Sequence, residues 1–244
     1  MIRLPNPVRV TLKRLIRRAG FAVAQFSQST DFDAVAARLA SRHADFATVI
    51  DIGASDGRWS AHMMNYFPAA QYLLIEAQQV HQAALRRFAA VHPNSSFVIA
   101  AAGACSGTLH FDADDPFGGQ ASIDRRSDQE IEVASVSIDD VVDERGLRGP
   151  FLLKLDTHGF EVPILDGAVR TLAETTAVIM ECYNFRIAPS SLLFNEMCDR
   201  MRKIGFRCID LCNPMFRERD GVLWQMDLVF AREDRPEFCN NRYR

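Results

Sequence analysis

The sequence predicts an α/β domain: a mostly parallel sheet covered by helices on both faces. Short apolar runs rich in β-branched residues recur at Thr48–Ile52, Gln71–Ile75, Ser96–Ala101, Phe151–Leu155 and Ala177–Glu181, and stretches of helical period separate them. Strand–helix–strand repetition of this kind closes through right-handed crossovers, which set the strand C-terminal ends along one rim. Composition agrees: 244 residues, 48% hydrophobic and 24% charged, suffice for one or two domains and exclude a chain disordered throughout.

In chain order, the first twenty residues carry Arg3, Arg9, Lys13, Arg14, Arg17 and Arg18 and no acid. At the ~100° per residue of a helix, Val8, Leu12, Leu15, Ile16 and Ala19 share one face and the basic residues the other. Pro5 and Pro7 suit the start of such a helix and Gly20 its stop. Docking on the acidic body of its own domain or of a partner subunit, weak peripheral contact of residues 8–19 with an anionic membrane, and a flexible tail are the three readings. Thr30 and Asp33 are spaced as a capping box for a helix bearing Phe32, Val35, Ala36, Leu39 and Ala40.

Helices are expected at Arg58–Phe67, Val80–Val91, Asp139–Glu144, Val162–Ala173 and Ser190–Ile204. Thr108–Phe111 and Glu132–Ser137 are weaker strands of a hairpin or insertion. Phe206–Leu211 and Leu223–Ala231 close the sheet, the latter antiparallel. The expected division is a basic extension over 1–30, one domain over 31–232 and a tail over 233–244.

A formal charge of −3 gives no electrostatic reason to expect a nucleic-acid partner. No apolar run reaches the ~18 residues of a membrane span, and the N-terminus lacks the apolar core of a signal peptide. The six cysteines form no C-x-x-C pair, so zinc is not expected. Cys182 and Cys208 read as small buried hydrophobes, and free thiols in this number fit a reducing, cytoplasmic setting.

The chemistry is concentrated on the rim. Asp51-Ile52-Gly53-Ala54-Ser55-Asp56-Gly57 ends the first strand and opens a helix. Its glycines let backbone approach a ligand, but four residues separate them, which is not the G-x-G-x-x-G of dinucleotide sites. An acid before the glycines is awkward beside a pyrophosphate and suits an ammonium group. Glu76, at the end of the second strand, is placed to accept ribose hydroxyls. A zwitterionic amino acid end, a ribose diol and no phosphate describe S-adenosylmethionine. Asp51, Gly53, Ala54, Ser55, Gly57, Glu76 and Ala77 are therefore the expected cofactor residues, with Trp59 assigned to packing.

The stretches VIDIGASDG (49–57), LLIEA (73–77), SVSIDDVV (135–142) and FLLKLDTHGFEVPILDGA (151–168) resemble the FkbM-type class I methyltransferases. The resemblance covers roughly residues 46–232. It implies a Rossmann-like seven-stranded sheet with an antiparallel edge strand, S-adenosylmethionine as cofactor, and methylation of an acceptor hydroxyl on a sugar, glycan intermediate or small natural product.

In-line methyl transfer to oxygen needs an oriented acceptor and, where the hydroxyl must ionise, a base. Asp156, at the tip of the strand beside the glycine loop, is the first candidate; a helix N-cap is its structural alternative. His158 stands where the family often has a carboxylate or amide, and Glu181 ends the next strand. Asp156, His158 and Glu181 are the expected catalytic set. Glu161 reads as support for the following helix, and Lys154 as half of a buried pair with an acid such as Asp139 or Glu181. Mg2+ held by Asp156, Glu181 and Asn184 is possible chemistry but not expected. The polar stretch 112–132 is a cover, a pocket wall or a plain loop. The competing classes are a nicotinamide oxidoreductase, disfavoured by the 53–57 spacing, and a non-catalytic cofactor-binding subunit. Nucleic-acid amino-group methylation is disfavoured, because no Asn/Asp-Pro-Pro-aromatic segment follows the fourth strand.

Overall fold

The computed structural model describes residues 28–42 and 45–242; the basic stretch 8–19 and the readings attached to it lie outside them. The elements run α1 (Phe32–Ser41), β1 (Thr48–Ile52), α2 (Arg58–Met63), β2 (Gln71–Glu76), α3 (Gln82–Val91), β3 (Ser95–Ile99), β4 (Ala101–Ala102), β5 (Gly107–Asp112), β6 (Gln120–Ser122) and β7 (Ile131–Val136). They continue as α4 (Ile138–Glu144), β8 (Phe151–Leu155), α5 (Glu161–Asp166), α6 (Val169–Ala173), β9 (Thr175–Tyr183), α7 (Phe194–Lys203), β10 (Phe206–Phe216) and β11 (Leu223–Arg232).

Seven strands form the main sheet in the order β10-β11-β9-β8-β1-β2-β3. This is a Rossmann-like class I methyltransferase sheet. All neighbours are parallel except at the antiparallel edge, where β11 runs against both β9 and β10. The antiparallel edge is thus a hairpin whose reversed strand is inserted between β9 and the outermost β10. The expected insertion is a second sheet of order β4-β7-β5-β6.

Strand alternation sorts the core into two layers. Ile50, Ile52, Leu73, Ile75, Leu153, Leu155, Val178 and Met180 point one way, to meet Ile138 and Val141 of α4, Ile164 and Leu165 of α5, and Met197 and Met201 of α7. Val49, Tyr72, Leu74, Leu152, Ala177 and Ile179 point the other way, to Val35 and Leu39 of α1, Met63 of α2 and Leu85 of α3. Each fully buried aliphatic side chain is worth about 1.5–3 kcal/mol. Asp51, Glu76, Lys154 and Glu181 share the parity of the second set, so their side chains gather on one face at the strand ends.

Several sequence expectations are corrected. The N-cap of α1 is Asp31 rather than Thr30 and receives no side-chain cap bond, while Asp33 bonds His62 and Tyr66 instead. The expected third strand divides at Ala100, where the chain leaves the main sheet for the second one. The single helix expected over 162–173 is two, parted at Gly167. Cys208, on the outer strand β10, is exposed, whereas Cys182 and Cys212 are buried; all six cysteines are free thiols.

Candidate active site

β1 ends at Ile52 and the chain turns through Gly53–Gly57 into α2. Gly53 and Ser55 adopt left-handed backbone (φ +75° and +51°). No other residue fits at Gly53, because a Cβ would stand 2.0 Å from the Asp156 carbonyl oxygen. The Gly53 and Ala54 amides both donate to the Ile75 carbonyl, at 2.9 and 3.1 Å, which ties the loop to β2. Gly57 is the N-cap of α2 and packs against Phe88 and Leu74; it shapes the turn without lining the cleft.

Glu76 lies at the tip of β2 with its carboxylate held on both sides. Oε2 accepts the Ser55 amide and Oε1 the Gln78 amide, each at 2.7 Å. Burial pushes this carboxyl above the usual range, and the two amides offset part of that. One lone pair on each oxygen is left over for a ligand.

Asp51 is one layer deeper than expected. It is fully buried and does not line the cleft. Its Oδ2 accepts from Ser60 Oγ at 2.7 Å and its Oδ1 lies 3.1 Å from Lys154 Nζ. The partner of Lys154 is therefore neither Asp139 nor Glu181. Asp51 and Lys154 are directly opposed in the parallel register of β1 and β8, whereas Asp139 accepts the amides of Arg170 and Thr171 at the start of α6. Lys154 also reaches Asp156 Oδ2 at 3.1 Å and donates to the Gly53 carbonyl at 3.0 Å. Burial alone lowers a lysine pKa, but Asp51 and Asp156 together outweigh it and hold this ammonium above the ordinary range.

Asp156, His158 and Glu181 are brought together at the tips of β8 and β9. Imidazole Nε2 of His158 is 3.5 Å from Asp156 Oδ1 and 3.6 Å from Glu181 Oε2. Asp156 caps nothing, since the N-cap of α5 is Phe160. Burial raises its carboxyl, yet the neighbouring Lys154 ammonium prevails and keeps it below the usual range. Glu181 moves the other way: burial first, then the adjacent Asp156 charge, push it up to about 9. The Tyr183 hydroxyl and the Gln225 amide donate to Glu181. Glu161 supports the turn, accepting the Gly159 amide at 3.0 Å and the Thr157 hydroxyl at 3.2 Å. Asn184 donates to the Leu223 carbonyl and is absent from the cleft, so the grouping of Asp156, Glu181 and Asn184 does not form; His158 takes the third place.

A further part of the wall comes from the 112–119 loop, where Pro116, Phe117 and Gly119 line the cleft. The Gln78 side-chain amide donates to the carbonyls of Asp115 and Pro116, at 3.0 and 3.1 Å, and His81 Nε2 to that of Pro116 at 2.7 Å. Of the readings for the 112–132 stretch, Pro116, Phe117, Gly119 and Ala121 form a pocket wall and residues 123–129 an exposed loop. Trp59 packs near Phe32 (ring centroids 5.8 Å apart) and also lines the cleft. Sequence reasoning missed Gln78, Phe32, Asn213 and Gln225. Only Gln78 carried a local signal, standing two residues after the strand-end acid.

These walls enclose a cleft of about 770 Å³, with room for a nucleoside and a small acceptor. Residues 51–208, well over half of the chain, match the methyltransferase FkbM domain. The chain belongs to the FkbM methyltransferase family. As a member of that family it is an S-adenosylmethionine-dependent methyltransferase domain. Ser55 Oγ, buried in the loop with no partner among the described residues, and the half-satisfied Glu76 carboxylate fit a ligand that brings hydroxyl groups.

Among solved structures, FkbM methyltransferase from Methylobacillus flagellatus KT is similar, with 17% identity and a TM-score of 0.48 over 75% of this chain and 44% of that one. This FkbM-family chain thus spans less than half the length of that relative. Precorrin-6y C5,15-methyltransferase from Geobacter metallireducens (14%, TM-score 0.46, 87% and 94% of the chains) is similar too. So is 1,6-didemethyltoxoflavin-N1-methyltransferase from Burkholderia thailandensis (13%, TM-score 0.47, 95% and 92%). The chain has no match among curated proteins. No helix among the described residues is long and apolar enough to cross a membrane.

Proposed function

We propose that this FkbM-family chain methylates a hydroxyl group, on a sugar or glycan intermediate. The observation that supports it most is the convergence of Asp156, His158 and Glu181 on the lining of the same cleft as Glu76 and the glycine turn. S-adenosylmethionine, when bound, supplies an electrophilic methyl group. Glu76 and the Ser55 hydroxyl hold its ribose side, and the Gly53–Ser55 backbone borders the rest. Asp51 acts from below, fixing Lys154 and through it the Gly53 carbonyl and Asp156. Asp156, kept ionised by Lys154, accepts the hydroxyl proton; His158 and Glu181 orient the acceptor. The pinned 112–119 loop and Phe117 exclude water from the reacting atoms.

The acceptor class follows from the lining. Trp59, Phe32 and Phe117 offer flat apolar faces, while Asn213, Gln225 and the carboxylates offer polar groups between them, the mixture a sugar ring requires. The family resemblance and the basic stretch 8–19, which suits acceptors assembled on membrane lipid, point the same way.

Incubation with S-adenosylmethionine and a panel of sugar nucleotides and lipid-linked glycans, read by mass spectrometry, tests this. An O-methyl product is expected. Asp156→Asn is expected to keep S-adenosylhomocysteine binding while losing about 10²–10⁴-fold in turnover, the usual contribution of a general base. An N-methyl product, or full turnover by Asp156→Asn, contradicts the proposal.

A further inference from the structure

We infer that Asp156, His158 and Glu181 form a binding site for one divalent cation of the Mn2+ class, onto which the acceptor hydroxyl is drawn; the inference rests on the hydroxyl-methylation reading above. Each residue offers one ligand atom, and the three atoms lie within 4.8 Å of one another. Their chemistry is fixed by what lies behind them. His158 Nδ1 is 3.4 Å from the Gly119 carbonyl oxygen, which turns Nε2 toward the two acids. Nε2 lies 3.5 Å from Asp156 Oδ1 and 3.6 Å from Glu181 Oε2. Three metal-ligating groups thus converge at separations too long for strong hydrogen bonds between them, with Glu181 Oε2 also accepting the Tyr183 hydroxyl. Neighbouring ligands ~2.1 Å from a shared octahedral ion lie about 3.0 Å apart, roughly half an ångström inside these spacings.

An independent observation is that the outward side of each group is tied off. Lys154 holds Asp156 Oδ2, Gln225 holds Glu181 Oε1 while Tyr183 donates to Oε2, and the Gly119 carbonyl lies beside His158 Nδ1. This is the outer-shell support that orients metal ligands. Two carboxylates with one imidazole suit Mn2+ and related ions better than the all-oxygen sets Mg2+ prefers. Three protein ligands leave positions on the cleft side for an acceptor oxygen, whose proton a bound cation makes easier to remove.

The full chain, stripped with EDTA, is titrated with MnCl2 and free Mn2+ is followed by electron paramagnetic resonance; S-adenosylhomocysteine binding is measured calorimetrically on the same samples. One Mn2+ per chain is expected, bound about tenfold or more weakly by His158→Ala and by Glu181→Gln, with S-adenosylhomocysteine affinity retained as evidence that both variants are folded. Absence of Mn2+ binding, or binding unchanged in both variants, overturns the site. Methyl transfer that persists in EDTA while S-adenosylhomocysteine still binds removes the cation and leaves the methylation reading standing. No S-adenosylhomocysteine binding by the wild type, with or without Mn2+, defeats that reading and this inference with it.

Discussion

Lys154 is the residue on which the charges of the site balance. It is almost wholly buried, and it touches Asp51 below, Asp156 above and the Gly53 carbonyl beside it. Removing it strands the fully buried Asp51, because Ser60 alone cannot neutralise a carboxylate. Lys154→Met is expected to cost about 3–5 kcal/mol in urea unfolding. Adding Asp51→Asn recovers a large part of that loss, since the two side chains are in contact and do not act additively. Equal stability of the single and double variants would show that the pair is not the coupled unit described here. The sequence marked both residues as charged positions within apolar strands, yet paired Lys154 with the wrong acids. The pairing is a matter of register between β1 and β8, which no local pattern encodes.

Among the elements, Gly167 shows why one expected helix is two. Helical period runs on through 162–173, but at Gly167 the backbone passes so close to the second sheet that a Cβ would lie 2.1 Å from the Gly103 carbonyl oxygen. Gly167→Ala is expected to destabilise the fold by about 1–3 kcal/mol through overpacking. Thermal unfolding unchanged by that substitution would contradict the contact. The insertion has its own anchor in Glu130, which accepts the Arg126 amide at 2.6 Å and the Arg126 guanidinium at 2.8 Å. The backbone donor first, and then Arg126's side chain, hold this carboxyl at about 2, against 4.5 unperturbed. A depressed acid stabilises above its unfolded pKa and loses that contribution as pH falls through the folded one. The stability difference between wild type and Glu130→Gln should therefore be flat above pH ~5 and vanish as pH approaches ~2. A difference that grows on acidification would reverse the assignment. Neither the Gly167 contact nor this anchor was legible in the sequence, because both depend on how the insertion folds back. The main strands were legible, because burial on both faces makes each a short, nearly unbroken apolar run.

For the whole molecule, alternation along four parallel strands gathers Asp51, Glu76, Lys154 and Glu181 on one face at one rim, with Asp51 beneath the cleft and the other three on its lining. Loop and strand-end acids were readable in advance, since chemistry at a strand tip needs particular residue types at short range. Phe32, Asn213 and Gln225 were not, because they arrive from distant elements and look like ordinary surface or strand residues. The central claim is that Glu76, clamped by two backbone amides, grips the nucleoside. Calorimetric titration of S-adenosylhomocysteine into wild type and Glu76→Ala tests it most directly. Saturable binding by the wild type, weakened roughly 10–100-fold in the variant as expected for lost hydrogen bonds to a charged group, is the result this account requires. Equal affinity in the two proteins would contradict it.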